Sequence, residues 1–174
     1  MNHLTKDEFK SLLKNIPDER KKLMLKVGFL HGLRVSELIT LTKENIRDGY
    51  VNVQRLKGSM HTIQPYVTNA DPDLDEATGL KATYGTLQKG EKLFPWTRNG
   101  VYKMMMAAGR KAGLPEHKCH PHSLKHSCAM VVIGTGIENA RQYLGHRNIS
   151  STGAYIRVSD EVASSAFAGA LSHA

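Results

Sequence analysis

Residues 117–157 read HKCHPHSLKHSCAMVVIGTGIENARQYLGHRNISSTGAYIR, and this stretch decides both the fold and the chemistry. It places His122, Lys125, His146 and Tyr155 within one short run of predicted helices. His122 and Lys125 are three residues apart, so on a helix both side chains point to one side. Two imidazoles, a cation and a phenol, with no acidic metal ligand among them, indicate chemistry on an anion. A phosphodiester is the obvious candidate, because a Tyr phenol is a poor nucleophile unless cations surround the group that it attacks.

The same stretch resembles the catalytic core of the tyrosine recombinase (phage integrase) family. That family carries an H-x-x-R motif, then L-G-H, then a nucleophilic Tyr nine residues after that His. Here HSLKH, LGH and Tyr155 stand at matching places, and HGLRVSEL at 31–38 resembles the family's G-x-R-x-x-E/D box. The basic hairpin QRLKGSMHTIQPY sits where the family places a catalytic Lys. The resemblance covers nearly the whole chain. It is closest to the short recombinases that invert fimbrial promoter segments and lack a core-binding domain.

The resemblance implies a site-specific recombinase that cleaves and rejoins DNA through a 3′-phosphotyrosyl intermediate, without metal or cofactor. Tyr155 is then the nucleophile, Arg34 grips the nonbridging phosphate oxygens, and His146 hydrogen-bonds a phosphate oxygen. His122 aids proton transfer or holds the phosphate. The implied catalytic set is Arg34, Lys57, His122, Lys125, His146 and Tyr155.

Two members of this set have plain alternatives. Arg34 taken alone could be a surface residue paired with Glu37, which is expected to be structural. Lys57, expected to protonate the leaving 5′-oxygen, could be a solubilising residue at a hairpin tip; we prefer it to Arg55 for the catalytic role.

Lys125 departs from the family, whose usual residue at this position is a second Arg. A Lys keeps the charge but is a point donor on a flexible stem, whereas Arg makes two parallel bonds. The exchange is compatible with a slow, regulated enzyme, with a compensated variant or with loss of activity. Two alternative functions therefore stay open: a non-cleaving DNA-binding accessory protein of the same fold, and a type IB topoisomerase-like relaxing enzyme.

Composition supports a nucleic-acid partner. The length of 174 residues corresponds to one domain. The net charge of +8 favours binding to a polyanion, and nucleic acid is a better candidate for this partner than an anionic membrane. Cys119 and Cys128 lack C-x-x-C spacing, and no signal peptide or long apolar segment is present. We expect a cytoplasmic, bacterial or phage-encoded protein that acts on double-stranded DNA at the nucleoid and has no membrane partner. It would be a homo-tetramer on two duplexes, with a monomer in free solution possible.

The pattern predicts a mainly α fold with a small three-stranded antiparallel β-sheet. Thr5 and Glu8 form a capping box, and Gly32 ends the second helix. Asp48-Gly49 is a hairpin signal before the strands that end near Val67. Further helices are predicted near 75–83, 97–112, 121–133 and 137–144, and a short one bearing Tyr155. The tail, residues 158–174, is predicted to pack on its own domain or on a neighbouring subunit.

Two other interpretations concern a metal site and the length of the chain. His117, Cys119, His120 and His122 could bind zinc, but an extended run of this kind does not easily converge on one ion. Family integrases generally carry an N-terminal core-binding domain, which this chain does not include. The chain therefore fits either the short subgroup, as a single catalytic domain over residues 1–174, or a fragment of a longer integrase.

Overall fold

A computed structural model describes residues 2–155, 164 and 168–170, and this part of the chain is mainly helical with one β-hairpin. The helices are α1 (Lys6–Lys14), α2 (Glu19–His31), α3 (Val35–Leu38), α4 (Ala77–Thr86), α5 (Arg98–Lys111), α6 (Pro121–Val132), α7 (Ile137–Tyr143) and α8 (Ser150–Gly153). The strands are β1 (Tyr50–Val53) and β2 (Thr62–Pro65). Short 3-10 turns lie at Lys43–Ile46, Pro72–Leu74, Glu116–Lys118 and Ile133–Thr135.

The predicted ends of α1 and α2 are confirmed. The Thr5 hydroxyl accepts the Glu8 N–H at 3.2 Å, and the Thr5 N–H donates to the Glu8 carboxylate at 2.8 Å. The Asp18 carboxylate caps α2 by accepting the Lys21 N–H at 2.8 Å, and Gly32 ends that helix in the left-handed conformation with φ of 61°. Glycine adopts this conformation without steric cost. The chain therefore turns sharply into α3, which puts Arg34 between two helices.

Helix α2 lies at the centre of the core. Phe29 of α2 stacks on Phe9 of α1 with 4.1 Å between ring centroids. Gly28 lets α6 approach closely, because a Cβ at that position would lie 3.0 Å from Leu124 Cδ1. Close packing on both sides holds the C-terminal end of α2, which leads into the Arg34 turn, in a fixed place.

The sheet has two strands in the described residues, whereas three were predicted. Tyr50 pairs with Pro65 and Val53 with Thr62 in an antiparallel hairpin. The chain before it forms a 3-10 turn at Lys43–Ile46 instead of a strand. The Asn45 side chain stabilises that turn: its Oδ1 accepts the Thr42 N–H at 2.8 Å, and its Nδ2 donates to a β1 carbonyl at 2.9 Å. This side-chain pairing is the alternative to a strand ladder that the sequence pattern did not reveal.

The last described helix is shorter than predicted. Helix α8 ends at Gly153, so Tyr155 lies in the turn just beyond it and donates its N–H to the Thr152 carbonyl at 3.0 Å. The tail helix predicted after Ser159 falls almost wholly outside the described residues. Among the described residues, no helix is both long enough and apolar enough to cross a bilayer.

The close approach of Gly109 to Cys119 allows a test of core packing. A Cβ at Gly109 would lie 2.1 Å from the Sγ of buried Cys119 and 2.8 Å from its Cβ. We therefore expect Gly109→Ala to lower the free energy of unfolding by about 1–3 kcal/mol, because overfilling a packed core forces its neighbours to shift. Urea unfolding measures this change.

Gly85 is the matched control. It lies in α4, is exposed, and has no described atom within 4 Å of an added Cβ. Gly85→Ala should raise stability by about 0.5–1 kcal/mol through helix propensity. Adding Cys119→Ala to Gly109→Ala should restore most of the lost stability, and a double variant as unstable as the single one would contradict the proposed contact.

Candidate active site

Arg34 is held at the α2–α3 junction by Glu37. The Glu37 carboxylate accepts the Arg34 N–H at 2.7 Å and its Nη1 at 3.1 Å, while the Arg34 side chain stays 21% exposed. Glu37 itself is buried and also accepts the Leu56 N–H of the hairpin at 3.0 Å. Glu37 thus fixes the Arg34 side chain with one guanidinium edge bonded and leaves part of it open to solvent. This geometry agrees with a structural role for Glu37.

Lys125 lies on the buried side of α6. Its side chain is 4% exposed, and Nζ has no hydrogen-bond partner among the residues that the structure describes. Burial, and then the charges of Arg34 and Arg55, lower the pKa of Lys125 to about 8. A buried ammonium without an acceptor is costly. An anion entering this pocket would supply the acceptors that Lys125 needs.

His146 lies in the tight turn after α7. Gly145 has φ of 69°, and a Cβ there would lie 2.8 Å from the Met60 carbonyl oxygen, so the turn requires glycine. The Met60 N–H donates to the Gly145 carbonyl at 2.7 Å, which joins this turn to the hairpin. The position of His146 is therefore coupled to the strand that follows the hairpin tip.

The His146 ring is neutral at physiological pH. Burial, followed by the charge of Lys125 and of two nearby arginines, lowers the pKa of His146 to about 4. Its Nδ1 lies 3.0 Å from the hydroxyl oxygen of buried Thr152. When that hydroxyl donates to Nδ1, Nε2 carries the N–H and can donate to a phosphate oxygen.

Tyr155 is half-buried beside the same cationic region. Burial raises the pKa of Tyr155, and the Arg34 charge opposes that rise. The phenol is accordingly protonated in the free protein, so its proton must leave during an attack. Tyr155 also lines a cavity of about 490 Å³ together with His126, His3 and Met130.

His126 is a candidate site residue that the sequence reasoning missed. Its ring lies 6.1 Å from that of His122 and 5.5 Å from that of Tyr155, measured between centroids, so His126 is a neighbour of both side chains. Burial lowers the pKa of both histidines, and for each of them the other charged groups act in the same direction. The four-residue spacing of His122 and His126, which puts them on one helix face, was the available signal.

The hairpin presents Lys57 and Arg55 very differently. Lys57 is exposed at the tip, with φ of 55°, and forms no hydrogen bond to another residue of the described chain. Its charge is one of the smaller causes that lower the pKa of His122, after burial, His120 and Arg34. Arg55 is 3% exposed and its nitrogen atoms bond within the protein. Of the two residues, Lys57 is the one able to reach a bound molecule.

The structure uses Cys119 in packing instead of presenting it for a metal. Its Sγ lies 3.3 Å from the Pro115 carbonyl oxygen, and burial raises the pKa of its thiol. His117 and His122 are both exposed. Within the described ranges, no three His, Cys, Asp or Glu side chains are grouped closely enough to hold a metal ion.

Comparison with known proteins agrees with this geometry. The model of the phage integrase family matches residues 2–162. The type 1 fimbriae regulatory protein FimB of Escherichia coli strain K12 is 30% identical over 164 residues, which cover 87% of this chain and 82% of FimB. Tyrosine recombinase XerA of Pyrococcus furiosus is 36% identical over 169 residues, which cover 89% of this chain and 57% of XerA.

A solved structure gives the same fold. The crystal structure of a lambda integrase dimer bound to a COC' core site superposes with a TM-score of 0.71 at 19% identity, and the match covers 91% of this chain and 63% of that chain. The fold is thus that of a tyrosine recombinase catalytic domain. On the family match and the sequence identities, the chain belongs to the phage integrase family of tyrosine recombinases.

The burial of Lys125 predicts a pH-dependent stability. The pKa of Lys125 in the folded protein, about 8, lies below the ordinary value of 10.5, so the unfolded chain binds more protons between these two values. The stability penalty is complete below about pH 8 and disappears as the pH rises toward 10.5. We expect Lys125→Met to be more stable than the wild type by roughly 3 kcal/mol at pH 7, with the difference shrinking above pH 8. Urea unfolding at several pH values measures it.

The difference in stability between the wild type and Lys125→Met isolates Lys125, because the contributions of the other titrating groups are common to both proteins and cancel. Lys81→Met removes an exposed lysine from α4 and controls for the loss of one positive charge. A stability difference that stays constant from pH 7 to pH 10 would show that Lys125 is not buried as a cation.

Proposed function

We propose that this chain is a site-specific DNA recombinase that cleaves and rejoins double-stranded DNA through a phosphotyrosine bond. The observation that carries the proposal is the buried, unpartnered Nζ of Lys125 near Arg34, whose charge also acts on Tyr155. Two of the chain's relatives support it, since XerA is named a tyrosine recombinase and the lambda integrase structure contains a DNA core site. The net charge of +8 suits the same polyanion.

In the proposed reaction the Tyr155 oxygen attacks the phosphorus of a DNA phosphodiester. A bond from that oxygen to phosphorus forms, and the bond from phosphorus to the 5′-oxygen breaks. The phenol loses its proton, and the leaving 5′-oxygen gains one. No bond energy is lost to water, so a 5′-hydroxyl from a partner duplex can reverse the attack and exchange strands.

Positive groups stabilise the charge of the transition state. Arg34 and Lys125 would hold the nonbridging oxygens, and His146 would donate Nε2–H to a phosphate oxygen. His122 would take up or relay the phenol proton. Lys57, at the exposed hairpin tip, would close on the bound DNA and protonate the leaving oxygen. The proposed catalytic set is thus Arg34, Lys57, His122, Lys125, His146 and Tyr155.

Strand exchange requires more than one subunit. We propose that the chain is a single catalytic domain over residues 1–174, that four copies assemble on two duplexes, and that the protein acts in the cytoplasm on chromosomal or phage DNA. The acceptor hydroxyl of each cleaved strand must come from a second duplex, which supports this assembly. A relaxing enzyme of the topoisomerase type needs only one duplex, and supercoiled plasmid that is relaxed without recombinants would favour it.

Tyr155→Phe tests the nucleophile. A DNA duplex nicked near the cleavage site loses the leaving fragment and traps the covalent complex. We expect covalent trapping by the wild type and none by Tyr155→Phe, with DNA affinity near normal, because the phenol oxygen is needed only for bond making. Gel electrophoresis under denaturing conditions measures it.

Tyr143→Phe is the control, because the hydroxyl of Tyr143 donates to the Leu30 carbonyl at 2.8 Å and is structural. A covalent complex formed by Tyr155→Phe would exclude Tyr155 as the nucleophile. Binding by the wild type without any trapping would favour the non-cleaving accessory protein.

Lys125 provides a test of the cationic pocket. Lys125→Ala should lose about 2–4 kcal/mol of transition-state stabilisation, as expected for removal of one preorganised donor. Lys125→Arg should keep or raise the rate of cleavage, because it restores the planar fork with the same charge. Single-turnover cleavage measures both. A Lys125→Ala variant as fast as the wild type would show that Lys125 does not contact the phosphate.

A further inference from the structure

Arg55 is a buried arginine that the proposed reaction does not use. It follows β1, at the base of the hairpin that carries Lys57, and only 3% of it is exposed. Its Nε donates to the Thr62 hydroxyl at 2.9 Å, across the hairpin. Its Nη1 donates to the Gly32 carbonyl at 3.0 Å, and its Nη2 to the His31 carbonyl at 2.9 Å.

A further bond of Arg55 reaches the end of α7. Its Nη2 also donates to the Tyr143 carbonyl at 3.3 Å. One planar group therefore ties together three segments that lie far apart in the sequence. Those segments lead directly into Arg34, into Lys57 and into His146. The rigid fork of an arginine is suited to such a junction, because its donors have fixed relative directions.

Arg55 also places a fixed positive charge behind the pocket. Its Nη1 lies 3.9 Å from the Glu37 carboxylate, which is already bonded by Arg34. The positive charge of Arg55 lowers the pKa of Lys125 after burial and the charge of Arg34, and that of His146 after burial and the charges of Lys125 and Arg34. Arg55 thus acts on two proposed catalytic groups while its own nitrogen atoms bond within the protein.

We propose that Arg55 is a positioning residue for strand cleavage, which joins the three segments bearing Arg34, Lys57 and His146 and holds a fixed charge behind Lys125. This inference rests on the proposed function, because positioning is defined relative to the phosphate that these groups would surround. A purely structural arginine would stabilise the hairpin but would not contribute to lowering the pKa of Lys125.

The charged and titratable groups that act on Lys125 come from every element around it. The α2–α3 region contributes Arg34 and Glu37, the hairpin contributes Arg55, and α6 itself contributes Cys128. The charge of Lys125 in turn lowers the pKa of His122 and His126 on α6 and of His146 in the turn after α7. Of the two arginines in this set, Arg55 is the one that is not itself a proposed phosphate contact.

The first experiment measures the titration of Lys125 in the full chain without DNA. NMR of the labelled lysine side chains follows each ammonium with pH, and Lys125→Arg identifies the Lys125 signal by its loss. In the wild type the Lys125 pKa should lie near 8, and in Arg55→Gln it should move upward by only part of the distance to 10.5, because burial and the charge of Arg34 remain. An Arg55→Gln protein in which the Lys125 pKa stays at the wild-type value would overturn the electrostatic part of the proposal.

Thr62→Val is the matched variant. It removes the hydroxyl that accepts a hydrogen bond from Arg55 Nε, because valine has nearly the same shape as threonine but no hydroxyl. The charge of Arg55 is unchanged in this variant. The Lys125 pKa should then stay at its wild-type value. If Thr62→Val moved it as far as Arg55→Gln does, the shift would come from loosened packing and the proposal would fail. Thr62→Val also serves as the test of the fork if Arg55→Gln does not fold.

The second experiment measures single-turnover cleavage of the nicked duplex together with DNA affinity. Arg55→Gln should slow cleavage by about 10-fold to 100-fold, the usual effect of misplacing reacting groups by about 1 Å. Thr62→Val should slow it less. DNA affinity should stay close to wild type in both, because all three nitrogen atoms of Arg55 bond within the protein.

The outcomes separate the two proposals. Normal cleavage by a folded Arg55→Gln protein would overturn the positioning role. A loss of DNA affinity in proportion to the loss of rate would assign Arg55 to DNA binding and overturn it too. A wild-type protein that binds DNA without cleaving it would contradict the proposed function, while the Lys125 titration would still decide the electrostatic role of Arg55.

Discussion

The buried carboxylate of Glu37 is the interaction on which the cationic pocket depends. It accepts two bonds from Arg34 and one from the Leu56 N–H, and it is the counter-charge nearest to Arg55. Burial lowers the pKa of both Arg55 and Lys125, and the charge of Arg34 acts in the same direction on each. Lys125 is left without a hydrogen-bond partner in the described chain. A site of this kind is preorganised for a bound anion at the expense of the stability of the free protein.

Lys125 changes the character of that preorganisation. An arginine at this position would be charged at every accessible pH, whereas a buried lysine can lose its proton. With a pKa of about 8, Lys125 is charged near neutral pH and loses its proton as the pH rises above 8, and a bound phosphate would favour the charged form. The departure from the family pattern is therefore compatible with catalysis, and above pH 8 it makes the charge of the pocket depend on whether an anion is bound.

Local sequence signals predicted the local structure well. The capping box of Thr5 and Glu8, the Gly32 stop and the Pro121 start of α6 depend on neighbouring residues, and each appears where it was expected. The prediction of a third strand was wrong because the Asn45 side chain bonds the backbone of Thr42 and Asn52, which a strand pattern does not reveal. Spacing alone also did not show that Arg55 is buried while Lys57 is exposed, since both are basic residues of the same hairpin and lie two positions apart. Distant carbonyls, of His31 and Tyr143, decide that difference.

The contact between Met60 and Gly145 has a consequence for how the protein is made. The Met60 N–H donates to the carbonyl of a residue that is translated 85 positions later, and a side chain at that glycine would clash with the Met60 carbonyl oxygen. A growing polypeptide cannot make this contact until residue 145 has emerged from the ribosome. The turn that carries His146 and the hairpin that carries Lys57 are therefore fixed to each other only after both segments have been synthesised.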